Sequence, residues 1–381
     1  MSVRKRSWMV DSERREAWIA DYVDQSGARH IKTFAKRREA EAFHASASVE
    51  VAKGLHTADR RSPTIAQAGE LCLQSSAKLE RTTLDSYRGH VQLHINPHLG
   101  HIRLSQLTAP MVRSFEDRLG ATRSPAMVHK VLVSLGSIVA DALERGLVAQ
   151  NVVRGRPRRQ RARGERRTPK LKIGADIPTP AEIRTIVQHL HGRWRPLFLV
   201  AAFTGLRSSE LRGLRWSDVD LKRSELHVRQ RADRYNVIGP PKSDAGFRTI
   251  PLLPMVVNAL RELKLTGKQT AADLVFPSKT GHIIGHSNLM KYVWKPLQVI
   301  AKVITPAGRA KYPGLHALRH FYASWCINRR VDGGLELPLK IVQTRMGHAS
   351  VKLTADTYSH LFPRGDDGAE LAAAERAFLG G

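Results

Sequence analysis

The chain has 381 residues, enough for two or three domains that each bury a core. Its 62 Lys+Arg against 34 Asp+Glu leave a formal net charge of +28, an excess that points to a polyanion as partner, nucleic acid ahead of an anionic membrane. Hydrophobic content is an ordinary 42% with no stretch read as the ~20 apolar residues of a membrane span, and Cys72 and Cys326, far apart and outside any CxxC pattern, argue against a disulfide framework.

Both cysteines are expected as small core residues in a reducing compartment. The opening residues Met1–Trp8 are charged and lack the apolar run of a signal peptide. In Trp18–Val23, Trp18, Ala20 and Tyr22 fall on one face of a strand. Asp24–Gly27 signals a turn, Arg29–Phe34 reads as the return strand, and Ser7–Val10 as a third strand ahead of both. Ala40, Phe43, Ala47 and Val51 form a helical stripe that stops at Gly54. Residues 1–58 are therefore expected to form a small basic sheet with one helix. An accessory DNA-binding module is one reading, and a plain N-terminal embellishment the other.

Residues 59–153 read as an all-helical domain. Ser62-Pro63 is taken as a helix cap followed by proline at the first helical position. Leu84, Tyr87, Val91 and Ile95 keep helical spacing. Thr108 and Pro110 start a second stripe of Val112, Phe115 and Leu119. Ser124-Pro125 opens a third, with Val128, Val131, Leu132, Leu135, Ile138, Val139 and Ala142. Arg88, Arg113, Arg123 and Lys130 are candidate phosphate contacts, against the plainer reading of solvated helix faces. His90, His94 and His98 share one face at i, i+4 and i+8, a spacing that invites a metal. Pro97 and Gly100 are read as ending the helix before His98, and no cysteine or carboxylate cluster completes a site. No metal site is assigned; the histidines are expected to cap, pack or touch phosphate.

Residues 154–175 form a basic linker, with ten Lys/Arg and one acid between Arg154 and Lys172. Arg158 and Arg159 there are further candidate phosphate contacts, and each charge neutralised on a phosphate steepens salt dependence. The last domain, residues 176–381, begins near Ile177–Glu182, where Thr179, Pro180 and Glu182 give a helix start with an acidic first turn. Helices dominate it, but Glu225–Arg229 and Phe247–Leu252 alternate like strands.

Four segments of this domain carry chemistry. In Thr204–Leu211, Gly205 ends the buried helix Leu197–Phe203, which places Arg207 at the next helix start, a position that favours anions. Glu210, three residues on, faces the same side and is placed to hold the guanidinium; Leu206, Leu211, Leu214 and Trp216 bury the rest. In Pro240–Gly246, Lys242 is expected at the tip of a hairpin. His316 and Arg319 share one helical face, opposite Leu318, Phe321 and Trp325. Gly347 is read as a tight helix entry beside His348, and Tyr358 follows as a nucleophile candidate. Its hydroxyl has an ordinary pKa of ~10, so it needs cationic neighbours or a base. Two arginines, a lysine and two histidines around one phenol are what phosphoryl transfer to a tyrosine requires, because the transition state gathers negative charge on the non-bridging oxygens. Each segment alone is weak and has a bland reading as a surface pair, a solvated lysine or a packed tyrosine.

Taken in this order they resemble the tyrosine recombinase family, the phage-type integrases. The resemblance rests on Arg207 and Glu210 within Thr204–Leu211, on Lys242, on the HxLRH motif of His316–His320, on Gly347-His348, and on Tyr358 ten residues later. Arg248–Leu252 and Val275–Pro277 fit further strands of the family. The strong match covers residues 176–362; residues 62–153 are more loosely similar to the family's SAM-like core-site-binding domain, and the N-terminal module to the arm-site domain of larger integrases. The implied fold class is a multidomain, mainly α chain with small β-sheets, ending in an α+β catalytic domain. The implied activity is site-specific DNA strand exchange through a 3′-phosphotyrosyl link on Tyr358, without metal, nucleotide or other cofactor. Arg207 and Arg319 would hold the non-bridging oxygens, Lys242 protonate the leaving oxygen, His316 assist the tyrosine's proton and His348 support the phosphate, with Glu210 behind Arg207. The partners implied are double-stranded DNA, a homotetramer on paired sites, and a DNA-bending host factor and a directionality factor, in a bacterial host cytoplasm and with no membrane.

The tail Ala369–Leu379 reads as a short helix with Leu371, Ala374 and Phe378 on one face, docking on a neighbouring subunit or packing on its own domain. The competing functions are a type IB-like topoisomerase, a chromosome-dimer resolvase, and a non-catalytic DNA-binding regulator of the same fold.

Overall fold

A computed structural model describes residues 2–11, 13–24, 27–52, 62–155, 170–266, 272–362 and 367–379. Gly54, Arg158 and Arg159 lie outside the described residues. The chain divides into two compact units, residues 1–161 and 162–381.

The first unit opens with β1 (Ser2–Val10), β2 (Glu13–Val23) and β3 (Arg29–Phe34), an antiparallel sheet in that order. β1 starts five residues earlier than expected and pairs with β2 along its whole length. Helix α1 (Arg37–Ala52) covers the face that carries Ala20 and Tyr22, with Phe43 5.7 Å from Tyr22 and 5.3 Å from Phe34. The Lys32 ammonium sits 4.4 Å over the Phe43 ring, an attraction to the ring's negative face. The strand register puts Arg4, Arg6, Trp8 and Arg15 together on the opposite face.

The helical part holds α2 (Ile65–Ser75), α3 (Arg81–His90), α4 (Asn96–Leu99), α5 (Ala109–Gly120) and α6 (Pro125–Glu144). The cap of α2 is Thr64, not Ser62: Thr64 and Gln67 bond each other's backbone N–H in a capping box. Ser62 is buried and its hydroxyl accepts from the Ser105 N–H at 3.0 Å, joining this entry to the loop before α5. Thr108 and Ser124 cap α5 and α6 as their spacing predicts. The helix through the three histidines does not end before His98. A wide turn, Val91–Ile95, carries α3 into α4, with the Asn96 N–H reaching back five residues to Val91. That extra residue lets the helix pass Pro97, which has no N–H of its own. His90 meets the Ser134 hydroxyl at 2.8 Å and His98 packs on Phe115, so these rings have structural partners. Helix α6 is, against expectation, long and apolar enough to cross a membrane by length and composition. Its apolar stripe instead packs into a core with Ile65, Val91, Ile95 and Phe115.

The second unit runs α7 (Pro180–Gln188), α8 (Trp194–Thr204), α9 (Ser208–Arg212), β4 (Val219–Asp220), β5 (Glu225–Val228), β6 (Arg231–Ala232), β7 (Ile238–Gly239) and β8 (Arg248–Pro251). It continues with α10 (Pro254–Thr266), α11 (His286–Leu289), α12 (Lys295–Ile300), α13 (His316–Ile327), α14 (Leu339–Met346), α15 (Val351–Tyr358) and α16 (Asp367–Leu379). β4, β5 and β8 form an antiparallel sheet and β6–β7 a separate hairpin. Val275–Pro277 is no strand; Leu274 and Pro277 make single bridges to Arg215 and Ile283. Thr179 and Glu182 form the expected capping box of α7. The core lies between α8, α13 and the segment around Trp294 and Tyr312. Of the cysteines, Cys326 is buried in this core and Cys72 half-buried in the first unit, both free thiols.

Candidate active site

Helix α8 ends where Gly205 turns left-handed at φ 63°, a conformation open to glycine. A side chain there would also strike Tyr322, whose ring lies 2.4 Å from where a Cβ would stand. The turn delivers Arg207 as the cap of α9, its side chain 36% exposed. Glu210 holds Arg207 from two sides: its carboxylate accepts from the Arg207 guanidinium at 2.7 Å and from the Arg207 backbone N–H at 2.9 Å.

The same carboxylate is gripped from β8. Arg248 donates to Glu210 at 2.8 Å and 3.3 Å and to the carbonyl of Arg345 at 2.8 Å. Burial works to raise the Glu210 pKa, but Arg248 and Arg207 outweigh it and hold the carboxyl at about 2.

Arg319, on the first turn of α13, is buried and donates to the carbonyls of Gly205 and Met346. Arg207 donates to the next carbonyl, Gly347, at 2.9 Å. Both guanidinium forks are thus fixed by consecutive residues at the end of α14. Gly347 is the exit of α14, not the entry of a helix: it adopts φ 62°, and α15 begins only after the Ser350 cap. A Cβ at Gly347 would lie 2.9 Å from both the Ala245 carbonyl and the Arg248 guanidinium.

His348 follows, buried, with Nδ1 2.9 Å from the Thr354 hydroxyl. Burial, then Arg319 and Arg207, push its pKa down to about 4, so the ring is neutral near pH 7. Tyr358 closes α15 and is only 1% exposed. Its ring stacks on His348 at 6.2 Å, nearly parallel. Burial lifts its hydroxyl to about 12, against the pull of Arg319 and Arg207.

The Phage integrase family profile matches residues 178–364. The tyrosine recombinase XerC-like protein of Caldanaerobacter subterraneus subsp. tengcongensis is 30% identical over 311 residues, 74% of this chain and 75% of the relative. The chain belongs to the tyrosine recombinase family. The integrase of Mycobacterium phage L5 is similar too, 28% identical over 273 residues, 68% of this chain and 71% of the relative. Among solved structures, the Tn1549 transposon integrase in complex with transposon right end DNA shares the fold at TM-score 0.67 and 18% identity, covering 83% of this chain and all 100% of that one. A lambda integrase tetramer bound to a Holliday junction shares it at TM-score 0.56 and 16% identity, covering 90% and 95%.

In this recombinase the fold brings Arg207, Glu210, Arg319, His348 and Tyr358 around the end of α14. Lys242 is not at a hairpin tip. The β6–β7 turn holds Asn236, and Lys242 lies beyond β7, exposed in the connection to β8. Buried Arg212 fixes that hairpin, donating to the Asn236 side chain and to the carbonyl of Ala232. His316 is exposed on the first turn of α13, its ring edge-on to His320 at 4.5 Å.

Two recombinase residues escaped the sequence reading. Arg248 shares the inward phase of Ile250 on β8 and of Leu252 just after it, so a buried arginine in need of a carboxylate is legible. The other is His320, one helical turn after His316, whose Nδ1 lies 2.8 Å from the Tyr358 hydroxyl. In the first unit, Arg88 and Arg113 pair with Asp85 and Glu116 on helix surfaces, while Arg123 and Lys130 are exposed.

Proposed function

We propose that this tyrosine recombinase cuts and rejoins double-stranded DNA at specific sites, integrating or excising a phage or other mobile element. The observation that carries the reading is the turn at Met346–His348. Its carbonyls fix Arg319 and Arg207, and its histidine stacks on Tyr358. Two cationic forks and one phenol therefore share a single anchor, an arrangement suited to a phosphodiester.

In the reaction the Tyr358 oxygen attacks phosphorus and the bond to the 5′-oxygen breaks. The products are a 3′-phosphotyrosyl link and a free 5′-hydroxyl. Lys242 supplies the proton to the leaving oxygen, and the phenol proton leaves toward the histidines of α13. Arg207 and Arg319 neutralise the non-bridging oxygens, and neutral His348 adds a hydrogen bond. The new ester keeps the energy of the old one, so resealing takes no nucleotide, and Arg207 and Arg319 supply the positive charge at the phosphate.

Exchange between two duplexes calls for a tetramer on paired sites, with a DNA-bending protein and a directionality factor as further partners. The charge of +28 suits a long DNA contact. The arginine face of the β1–β3 sheet, the helix surfaces bearing Arg88, Arg113, Arg123 and Lys130, and the linker with Arg158 and Arg159 are its proposed DNA contacts. The test uses a nicked duplex carrying the attachment core, in chelator. A covalent adduct formed by the wild type and absent in Tyr358→Phe supports the reading. Binding without an adduct overturns it in favour of a regulator, and plasmid relaxation without paired sites in favour of a topoisomerase.

A further inference from the structure

The hydroxyl of Tyr358 has one ring nitrogen against it. His320 Nδ1 lies 2.8 Å from the Tyr358 oxygen, and the two rings meet at 5.7 Å and 60°. His316, the other histidine of the same motif, is one turn earlier on α13 and exposed. With the imidazole proton on Nε2, Nδ1 is the acceptor of this contact and the phenol O–H its donor. We propose that His320 is the positioning residue for the nucleophile: its Nδ1 accepts the Tyr358 O–H and fixes the direction of the oxygen's lone pairs toward the phosphate held by Arg207 and Arg319. The inference rests on the recombinase reading above.

Three features support it. First, α13 carries Arg319 and His320 as neighbours. One rigid helical turn therefore sets both the phosphate clamp and the tyrosine's acceptor, and their spacing does not depend on a loop. Second, α15 offers the tyrosine from the other side, where His348 stacks on the ring face. The phenol is thus held in its plane by His348 and in its torsion by His320. Third, burial, then His316 and Arg319, push His320 down to about 4, so near pH 7 the ring is neutral and keeps one nitrogen as an acceptor, the role the proposal gives to Nδ1. The contact therefore orients the oxygen before DNA arrives.

An aligned nucleophile matters because small misplacements of reacting groups cost about 10²-fold in rate. The test is single-turnover cleavage of the nicked attachment-core duplex by the full chain, with DNA affinity measured on the intact duplex. His320→Ala removes the acceptor; cleavage should fall about 10²-fold while affinity stays within about twofold. His320→Asn places an amide oxygen one bond from Cγ, close to where Nδ1 stands, and should recover most of the rate. If Asn is as slow as Ala, the ring acts by packing alone and the proposal is overturned. If Ala cleaves at the wild-type rate, it is overturned as well. Both outcomes differ from failure of the recombinase reading, in which the wild type itself forms no adduct.

Discussion

Arg248 and Glu210 form an ion pair whose side chains are 1% and 2% exposed. The pair lies behind the candidate active site, since Glu210 passes the restraint on to Arg207. Taking two charges out of water is costly, and only close geometry and further hydrogen bonds offset it. Here Arg248 also donates to the carbonyls of Arg345 and Gly246, which ties β8, α9 and the end of α14 together.

Glu210→Gln should therefore do double damage. Leaving Arg248 buried without its counter-charge costs about 3–5 kcal/mol, read by urea unfolding, and DNA cleavage falls because Arg207 loses its brace. Replacing the pair together, as Glu210→Leu with Arg248→Met, should restore much of the stability and none of the cleavage. A stable, active Glu210→Gln protein would contradict the brace.

Buried His348 and half-buried His320 predict a pH dependence. His320 and His348 sit at about 4 in the fold, below their ordinary 6.5. Between those values the unfolded chain binds more protons, so stability is full above about 6.5 and declines as pH falls toward 4. Arg319, Arg207, Arg248 and His316 face His348, and His316, Arg319 and Asp176 act on His320. The melting temperature should drop between pH 7 and pH 5, and His348→Gln should flatten part of that drop. An unchanged slope in the variant would show that the ring does not titrate as described. Glu210 adds an acid limb: its contribution is present above 4.5 and is lost as pH falls toward 2.

Gly347→Ala should destabilise by about 1–3 kcal/mol, since a β-carbon is strained at positive φ, and this one would meet Arg248 and the Ala245 carbonyl at 2.9 Å. Because the Gly347 carbonyl positions Arg207, cleavage should fall further than stability accounts for. Parallel unfolding and cleavage measurements separate the two. Cleavage that tracks only the folded fraction would contradict the anchor role.

Phe378 is 87% exposed at the end of α16. Burying such a ring on a partner stabilises by about 1.5–3 kcal/mol, which favours docking on a neighbouring subunit. Deleting residues 366–381 should weaken assembly of paired sites more than binding to a single site, measured by gel shift. Equal loss in both assays would refute docking between subunits.

Much of this was legible in the sequence, and the gaps have physical causes. Thr108, Ser124 and Thr179 mark their helix starts because a cap is a local event. Ser62-Pro63 misled because Ser62 bonds a residue 43 positions away, and its hydroxyl was already committed. Pro97 misled because a wide turn lets a helix continue through a proline. The sequence does not separate Lys242 from the hairpin, because the β6–β7 strands of two residues each carry too little alternation to be seen. Arg207, Arg319, His348 and Tyr358 stand out in the sequence by their chemistry, whereas His320 is there only the last residue of the HxLRH motif. Its partner lies 38 residues on, and only the packing of α15 against α13 brings the two together.

The central claim is that Tyr358 becomes the covalent link to DNA. After cleavage of the nicked duplex, nuclease trimming and trypsin digestion, Tyr358 falls in the peptide Leu353–Arg364, where it is the one tyrosine. Mass spectrometry should find a nucleotide remnant on that peptide and on Tyr358 within it. A remnant on another peptide, or cleaved DNA with no remnant on any peptide, would contradict the account.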